Sequence, residues 1–383
     1  MSEASTDYSV VAGLLYDGLS LEPSTDMVIH VSGGRIADVE KARPEDFHAA
    51  RLRADIVAPG FIDLQINGAN DVQFNATPTS DALEKIAAGA RKGGTAHILP
   101  TFTTAPGAEY RKAIQAVQNA QAAGVAGILG VHLEGPFLSP ERAGIHPVEF
   151  IRSPDGSDLR FLRDADCGVR FITLAPERQP EGVIASLVES GWVVFAGHSA
   201  ANSMEMDRAE AQGVSGATHL FNAMSQLASR EPGVVGAVLA SNRMSAGVIV
   251  DGVHVHPQTV KLAWRSLGER LCLVTDAVLT LAGNTVEFDF YGKRIFRTGN
   301  RLADASGRLA GAHLSMDEAV RNLMSFAEVD KGAALYAASR SPARAIGLGH
   351  ELGCVHPGYR ASLTFMTQDL KPAGVVVDGD AFV

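Results

Sequence analysis

The chain has 383 residues, too many for one ordinary core and enough for a large domain plus a small one, since an α/β barrel alone takes about 250. Hydrophobic residues make up 46% and charged residues 20%, with 39 glycines, a balance that excludes disordered and fibrous classes and fits a globular enzyme. A formal charge of -10 repels a phosphate backbone, so nucleic acid is excluded as a partner and any anionic substrate has to be held by local cations.

The opening residues, MSEASTDYSVV, carry acids where a leader would carry basic and then apolar residues. No later apolar run reaches the roughly 18 residues needed to cross a bilayer, so the expectation is a cytoplasmic protein with no membrane partner. Residues 8 to 57 read as β structure: VVAGLLYDG, then DMVIHVSGGRIADVE folded around the turn pair Gly33 and Gly34. From Phe61 to Ala277 eight short apolar runs recur: FIDLQI, AHILPTF, ILGVHLE, RFITLAP, VVFAGHS, GATHLFN, AGVIVDG and LCLVTDA. The stretches between them, such as SDALEKIAAGARKGG and SMEMDRAEAQG, have helical spacing and often end in glycine. Eight such units predict a closed parallel (β/α)8 barrel of the TIM type, with both faces of each strand buried. An open doubly wound sheet is the alternative, but no GxGxxG follows the first strand. Beyond the eighth run, NTVEFDFYGKRIFRTGNRLADASG predicts antiparallel hairpins, followed by helices over about 315–328 and 332–347. Residues 353 to 383 return to β. The division that follows is a small β-sandwich domain from 1–57 and 350–383, and a barrel domain from 58–349. Cys167, Cys272 and Cys354 are odd in number and widely spaced, which fits buried small side chains rather than disulfides or a thiolate cage.

Strand after strand finishes in a polar group: Gln65 and Asn67, Glu134, His198, His219, Asp251 with His254, and Asp276. Barrel enzymes carry their chemistry at the C-terminal ends of the strands, so these residues can converge on one mouth. Taken singly, Glu134 fits a structural ion pair and each histidine a hydrogen-bonded core residue. Together, two imidazoles and a carboxylate are a common ligand set for a catalytic divalent ion with one open position. Such an ion brings the pKa of water to about 7 and polarises a carbonyl, the two requirements of amide hydrolysis. Asp276, ending the eighth run, is the candidate general base and acid, although an aspartate there could also cap a helix.

The blocks PGFIDLQINGA, HLEGPF, GIHP, GHSA, THLFNAM with REPG, DGVH, LVTDA, LAGAHLSMDEAVRN, SPARAIGL and PGYRASL run in order through nearly the whole chain. In these the sequence resembles the N-acetylglucosamine-6-phosphate deacetylases of the amidohydrolase superfamily. The resemblance implies that Glu134, His198 and His219 hold the metal, that Asp276 is the catalytic acid and base, and that His146, beside Ile145, binds near the acetamido group. It implies that Asn222, Ala223, Arg230 and His254 bind the sugar phosphate, with Asp251, Gly252 and Val253 in the same block. It further implies that part of that phosphate site is supplied across a homodimer interface and that Leu309, Ala310 and Gly311 close on the substrate. A guanidinium such as that of Arg230 offers a planar fork of donors to a phosphate.

Two departures from the superfamily pattern matter. Gln65 and Asn67 stand where many amidohydrolases carry the HxH pair of a second metal site, and amides are weaker zinc ligands than imidazoles. The expectation is therefore one divalent ion per subunit, zinc by its ligand set, with Gln65 and Asn67 contacting water or substrate. In SPERAGIHP, Glu141 and Arg142 replace a doubly basic pair of some relatives, which leaves the epimer preference open. The expected reaction is hydrolysis of N-acetyl-D-glucosamine 6-phosphate to D-glucosamine 6-phosphate and acetate. Its rivals are the galactosamine epimer, another small-amide hydrolase on the same barrel, and a non-catalytic scaffold, which would gain little from a full metal site.

Overall fold

A computed structural model describes residues 7–383; the first six residues, part of the opening segment and of the 1–57 span discussed above, lie outside the described residues. Strands β1 (Tyr8–Leu15), β2 (Ser24–Ser32), β3 (Arg35–Lys41) and β4 (Leu52–Pro59) come first. β1 pairs antiparallel with β2 and parallel with β4. The β2–β3 turn is made at Gly33 and Gly34, whose φ angles of 55° and 75° suit glycine and strain any side chain. Gly60 then passes the chain directly into the barrel; a Cβ there would sit 2.7 Å from the Ala96 Cβ, so only glycine allows the two domains to approach.

The barrel begins with β5 (Phe61–Ile66), followed by a short ribbon of β6 (Gly68–Ala69) and β7 (Val72–Gln73). It continues through β8 (Thr95–Thr103), β9 (Gly130–Glu134), β10 (Val169–Leu174), β11 (Trp192–Ala196), β12 (Gly216–Ala217), β13 (Ser245–Ile249) and β14 (Leu271–Val274). These form one eight-stranded sheet in the order β14-β13-β12-β11-β10-β9-β8-β5, every pairing parallel. β5, β8, β9 and β14 are buried at every position, which is why the apolar runs are continuous rather than alternating. The helix Ser80–Arg91 shows how the outer layer forms: the Thr79 side chain caps its first turn, and Ala82, Leu83, Ile86, Ala87 and Ala90 make one buried stripe. The seam between β14 and β5 is closed by backbone bonds from Asp276 N to Gln65 O (2.9 Å) and Asn67 N to Ala277 O (2.7 Å). The buried Asp63 carboxylate reinforces it, accepting from Gln65 N, Thr275 N and the Thr275 hydroxyl. The fold is a TIM barrel.

Strands β15 (Glu287–Phe290), β16 (Lys293–Thr298) and β17 (Arg301–Asp304) form a separate antiparallel sheet, the hairpins expected after the eighth strand. It lies against the barrel mouth around Val278, Phe290, Ile295, Leu302 and Ala310. The helix Met316–Ala327 follows as expected, but the predicted 332–347 helix is two, Lys331–Ala338 and Arg340–Ala345. Pro342 has no N–H to return to the carbonyl four residues earlier, and Ser339, at φ -128° and ψ -66°, bonds through its hydroxyl to Leu335 O.

Strands β18 (Leu363–Met366), β19 (Pro372–Val377) and β20 (Asp380–Phe382) then join the N-terminal strands in one seven-stranded sheet, β20-β19-β18-β4-β1-β2-β3. The sheet folds over on itself in sandwich fashion: Ala361 N bonds to Gly34 O and Ile36 N to Tyr359 O, both at 2.9 Å. The two layers enclose Val10, Ile29, Val57, Leu363 and Val376. Neither terminal piece could bury these residues alone. Among the described residues no helix is long and apolar enough to cross a membrane.

Candidate active site

Glu134 ends β9, and its Oε1 is the centre of a buried cluster. His219 Nε2 lies 2.9 Å and His198 Nε2 3.2 Å from it, with 3.0 Å between the two nitrogens. Both histidines follow strand ends, at φ 47° for His198 and 33° for His219, in left-handed conformations that turn their rings into the mouth. His198 Nδ1 faces the carbonyl of Arg142 at 2.9 Å, which keeps the proton on Nδ1 and leaves a lone pair on Nε2. Burial alone would raise the Glu134 carboxyl, but the two imidazoles against it hold it well below its ordinary range.

Two lone-pair-bearing nitrogens and a carboxylate oxygen at such separations repel unless a cation is shared, and they are separations that an ion with bonds of about 2.0–2.2 Å spans. A second observation agrees: Gln65 Oε1 and Asn67 Oδ1, beside this cluster, are buried without a hydrogen-bond partner. The residues therefore fit a bound divalent ion with its water.

Asp276 follows β14 at φ 49°. Its Oδ1 accepts from Asn67 Nδ2 at 2.7 Å and Gln65 Nε2 at 3.2 Å, and the same Gln65 nitrogen reaches Glu134 Oε1 at 3.1 Å. The two amides expected to meet water or substrate thus also orient the carboxylates, with their carbonyl oxygens left for a solvent molecule. Burial, with the negative charge of Glu134 adding to it, pushes the Asp276 carboxyl up to about 6. His146 is buried, its Nδ1 2.8 Å from the Thr104 hydroxyl and its Nε2 3.9 Å from Glu134 Oε2. The nearby carboxylate favours a proton on Nε2, with the Thr104 hydroxyl donating to Nδ1. Burial, then the neighbouring His198, pushes the His146 ring down to about 3, so it is neutral. Nothing in the sequence marked Thr104; its role exists only because the loop after β8 passes under the loop after β9.

Asn67, Glu134, His146, His198, His219 and Asp276 line a cavity of about 590 Å³ at the barrel mouth, together with Asn222, Ala223, His254, Ile145, Leu309, Ala310 and Gly311. Asn222 donates through Nδ2 to the carbonyl of His219 (3.2 Å), which fixes its side chain. Asp251 does not line the cavity. It accepts from Val253 N, His254 N and His254 Nδ1 (2.6 Å), so it turns His254 Nε2 outward. Burial would raise the Asp251 carboxyl, but the bonds from His254 hold it low. Gly252 and Val253 are exposed, outside the cavity. Arg230 is also exposed and outside it, on a segment where Leu227 is 55% exposed. Two cations the sequence reading did not assign to substrate, Arg142 and Arg308, line the cavity instead.

The profile of the amidohydrolase family matches residues 56–382. An N-acetylgalactosamine-6-phosphate deacetylase of Shewanella sp. is 37% identical, covering 98% of this chain and 96% of its own length. An N-acetylglucosamine-6-phosphate deacetylase of Haemophilus influenzae is 37% identical over 86% of this chain and 87% of its own. The crystal structure of N-acetylglucosamine-6-phosphate deacetylase from Pasteurella multocida superposes with a TM-score of 0.94 at 34% identity, covering 99% of this chain and all of that one. The chain belongs to the amidohydrolase family.

Proposed function

We propose that this amidohydrolase cleaves the acetamide of N-acetyl-D-glucosamine 6-phosphate, releasing acetate and D-glucosamine 6-phosphate. The observation that carries the reading is the buried Glu134, His198 and His219 cluster with an anchored carboxylate, Asp276, beside it. One divalent ion per chain, zinc on this donor set, would activate water and polarise the carbonyl there. Asp276 takes the proton from the attacking water through the oxygen that Asn67 and Gln65 leave free, then returns it to the departing amine. His146 donates from Nε2 to the carbonyl oxygen as it gains charge. Leu309 to Gly311 cover the bound sugar and exclude bulk water.

His254, Asn222 and the Ala223 backbone form the phosphate end of the pocket. Because Arg230 lies outside the cavity of its own chain, we assign it to the pocket of a second copy in a homodimer, reaching a phosphate by a charge-assisted bond. The exposed Leu227 and Val253 beside these segments are apolar surface that such a partner would cover. Three buried, unpaired cysteines accord with a reducing, cytoplasmic setting. Relatives named for the galactosamine epimer and for the glucosamine epimer are both 37% identical to the chain, so the galactosamine substrate is the second reading.

The test is acetate release from both epimers, each with and without the 6-phosphate. Acetate from the phosphorylated sugars, fastest with the glucosamine form, is expected. No acetate from any of them, or equal rates without phosphate, refutes the proposal.

A further inference from the structure

Part of the cavity wall is apolar. Val278, Phe288, Phe290, Ala310 and Ile145 all line it and all belong to a single hydrophobic cluster built around the β15–β17 sheet. The wall is tied to the reacting groups. Ile145 is the neighbour of His146, and Val278 lies two residues past Asp276. The Ala310–Gly311 peptide is stitched to them by Ala312 N to Asp276 O at 2.9 Å and Val278 N to Ala312 O at 3.3 Å. Lys293 Nζ to Ile145 O and Arg308 Nη1 to Gly144 O, both at 3.0 Å, hold the loop carrying His146 against the same sheet.

The orientation of a bound amide follows from its three substituents, given the reading above. The carbonyl oxygen faces His146 and the Glu134 corner. The nitrogen leads through the sugar to the phosphate end at Asn222, Ala223 and His254. The third substituent, the acyl carbon chain, is left to the rest of the lining, whose apolar part is Ile145, Val278, Ala310 and the two phenylalanines. One methyl group covers a small part of five apolar side chains, and leaving such surface against water or hydroxyls is unfavourable.

We infer that the enzyme hydrolyses N-acyl groups longer than acetyl, with the propionyl and butyryl chains of N-acylated hexosamine 6-phosphates lying along this wall. The inference rests on the deacetylase reading. The bonds are the same: a C–O bond forms from water, the C–N bond breaks, and the products are the short-chain carboxylate and the free amine. Asp276 carries the proton from water to that amine, so no further reactant is needed.

The test is release of free amine from N-acetyl, N-propionyl and N-butyryl glucosamine 6-phosphate by the full chain loaded with zinc. Each added methylene buried on the wall favours kcat/KM by up to about fourfold. A butyryl-to-acetyl ratio of kcat/KM at or above one supports the inference, and a ratio below one overturns it. Acetyl turnover serves as the internal control: if that substrate too is inert, the deacetylase reading itself has failed. Val278→Leu adds bulk to the wall and should lower the butyryl-to-acetyl ratio severalfold. Because both rates come from one preparation, the ratio is independent of how much of the variant folds, and an unchanged ratio overturns the assignment of the wall.

Discussion

Replacing Asp276 by asparagine tests the mechanism at its centre. Oδ1 of Asp276 is held by Asn67 Nδ2 and Gln65 Nε2, so an asparagine can keep both bonds through its own carbonyl oxygen. The amide nitrogen then takes the place of the free oxygen facing the cavity. It also removes a negative charge that burial and Glu134 oppose, the two causes that push the carboxyl up to about 6. What disappears is the ability to accept a proton. A general acid or base contributes about a hundredfold to ten-thousandfold, and a group serving both steps belongs at the upper end, roughly 5 kcal/mol of barrier. In the parent enzyme the carboxylate has to be ionised, so kcat/KM should fall as pH drops through about 6; a bound cation would move that limb lower. The variant should lack the limb in its residual activity. Metal content, substrate affinity and turnover are to be measured on one preparation. A loss of less than about tenfold with metal retained would refute Asp276 as the proton carrier.

Three further outcomes are expected. Metal analysis of active protein should give one divalent ion per chain, since Gln65 and Asn67 spend their nitrogens on Asp276 and Glu134; two ions, both required for activity, would overturn the single-site reading. Arg230→Ala should weaken binding of the phosphorylated sugar by about 1.5–3 kcal/mol and leave an unphosphorylated analogue nearly unaffected; equal losses on both would remove Arg230 from the phosphate site. Burial, partly offset by Asp378, pushes the fully buried His97 down to about 4, so the native state binds fewer protons than the unfolded chain between about 4 and 6.5. Stability from this residue is complete above 6.5 and is lost as pH falls, by about 2 kcal/mol at pH 5. Denaturant titrations at pH 7 and 5 should show that difference shrink in His97→Gln, whose amide can still reach Ser362. An undiminished difference would place the acid sensitivity elsewhere.

The parts of this molecule that could be read from sequence are those set by local pattern. Runs such as AHILPTF and LCLVTDA are mostly apolar, without a polar alternation, because both faces of β8 and β14 are covered, and Gly33–Gly34 announces a turn because few residues tolerate its angles. The polar residues at the strand ends were visible for the same reason: they interrupt those runs. Contacts made between distant segments left no such mark. Nothing in PGFID marks Asp63 for a role, yet its carboxylate closes the barrel seam through Thr275. The two phenylalanines over the cavity read only as strand residues of a hairpin.

The aim of the site side chains belongs to the same illegible part. His198, His219 and Asp276 all sit at positive φ, a conformation that costs a residue other than glycine on the order of 1–3 kcal/mol. Their own sequences carry no turn signal that would predict it. Bonds from neighbouring segments hold the strained backbone: Ser139 N to His198 O, Leu220 N to Gly247 O, and Asp276 N to Gln65 O, at 2.8–2.9 Å. Each of these bonds joins two different β/α units, so the closed barrel is what holds the strain, and no single unit could. A ligand set spread over Glu134, His198 and His219 is therefore readable as a list of residues, while its geometry comes into being only when the ring of strands closes.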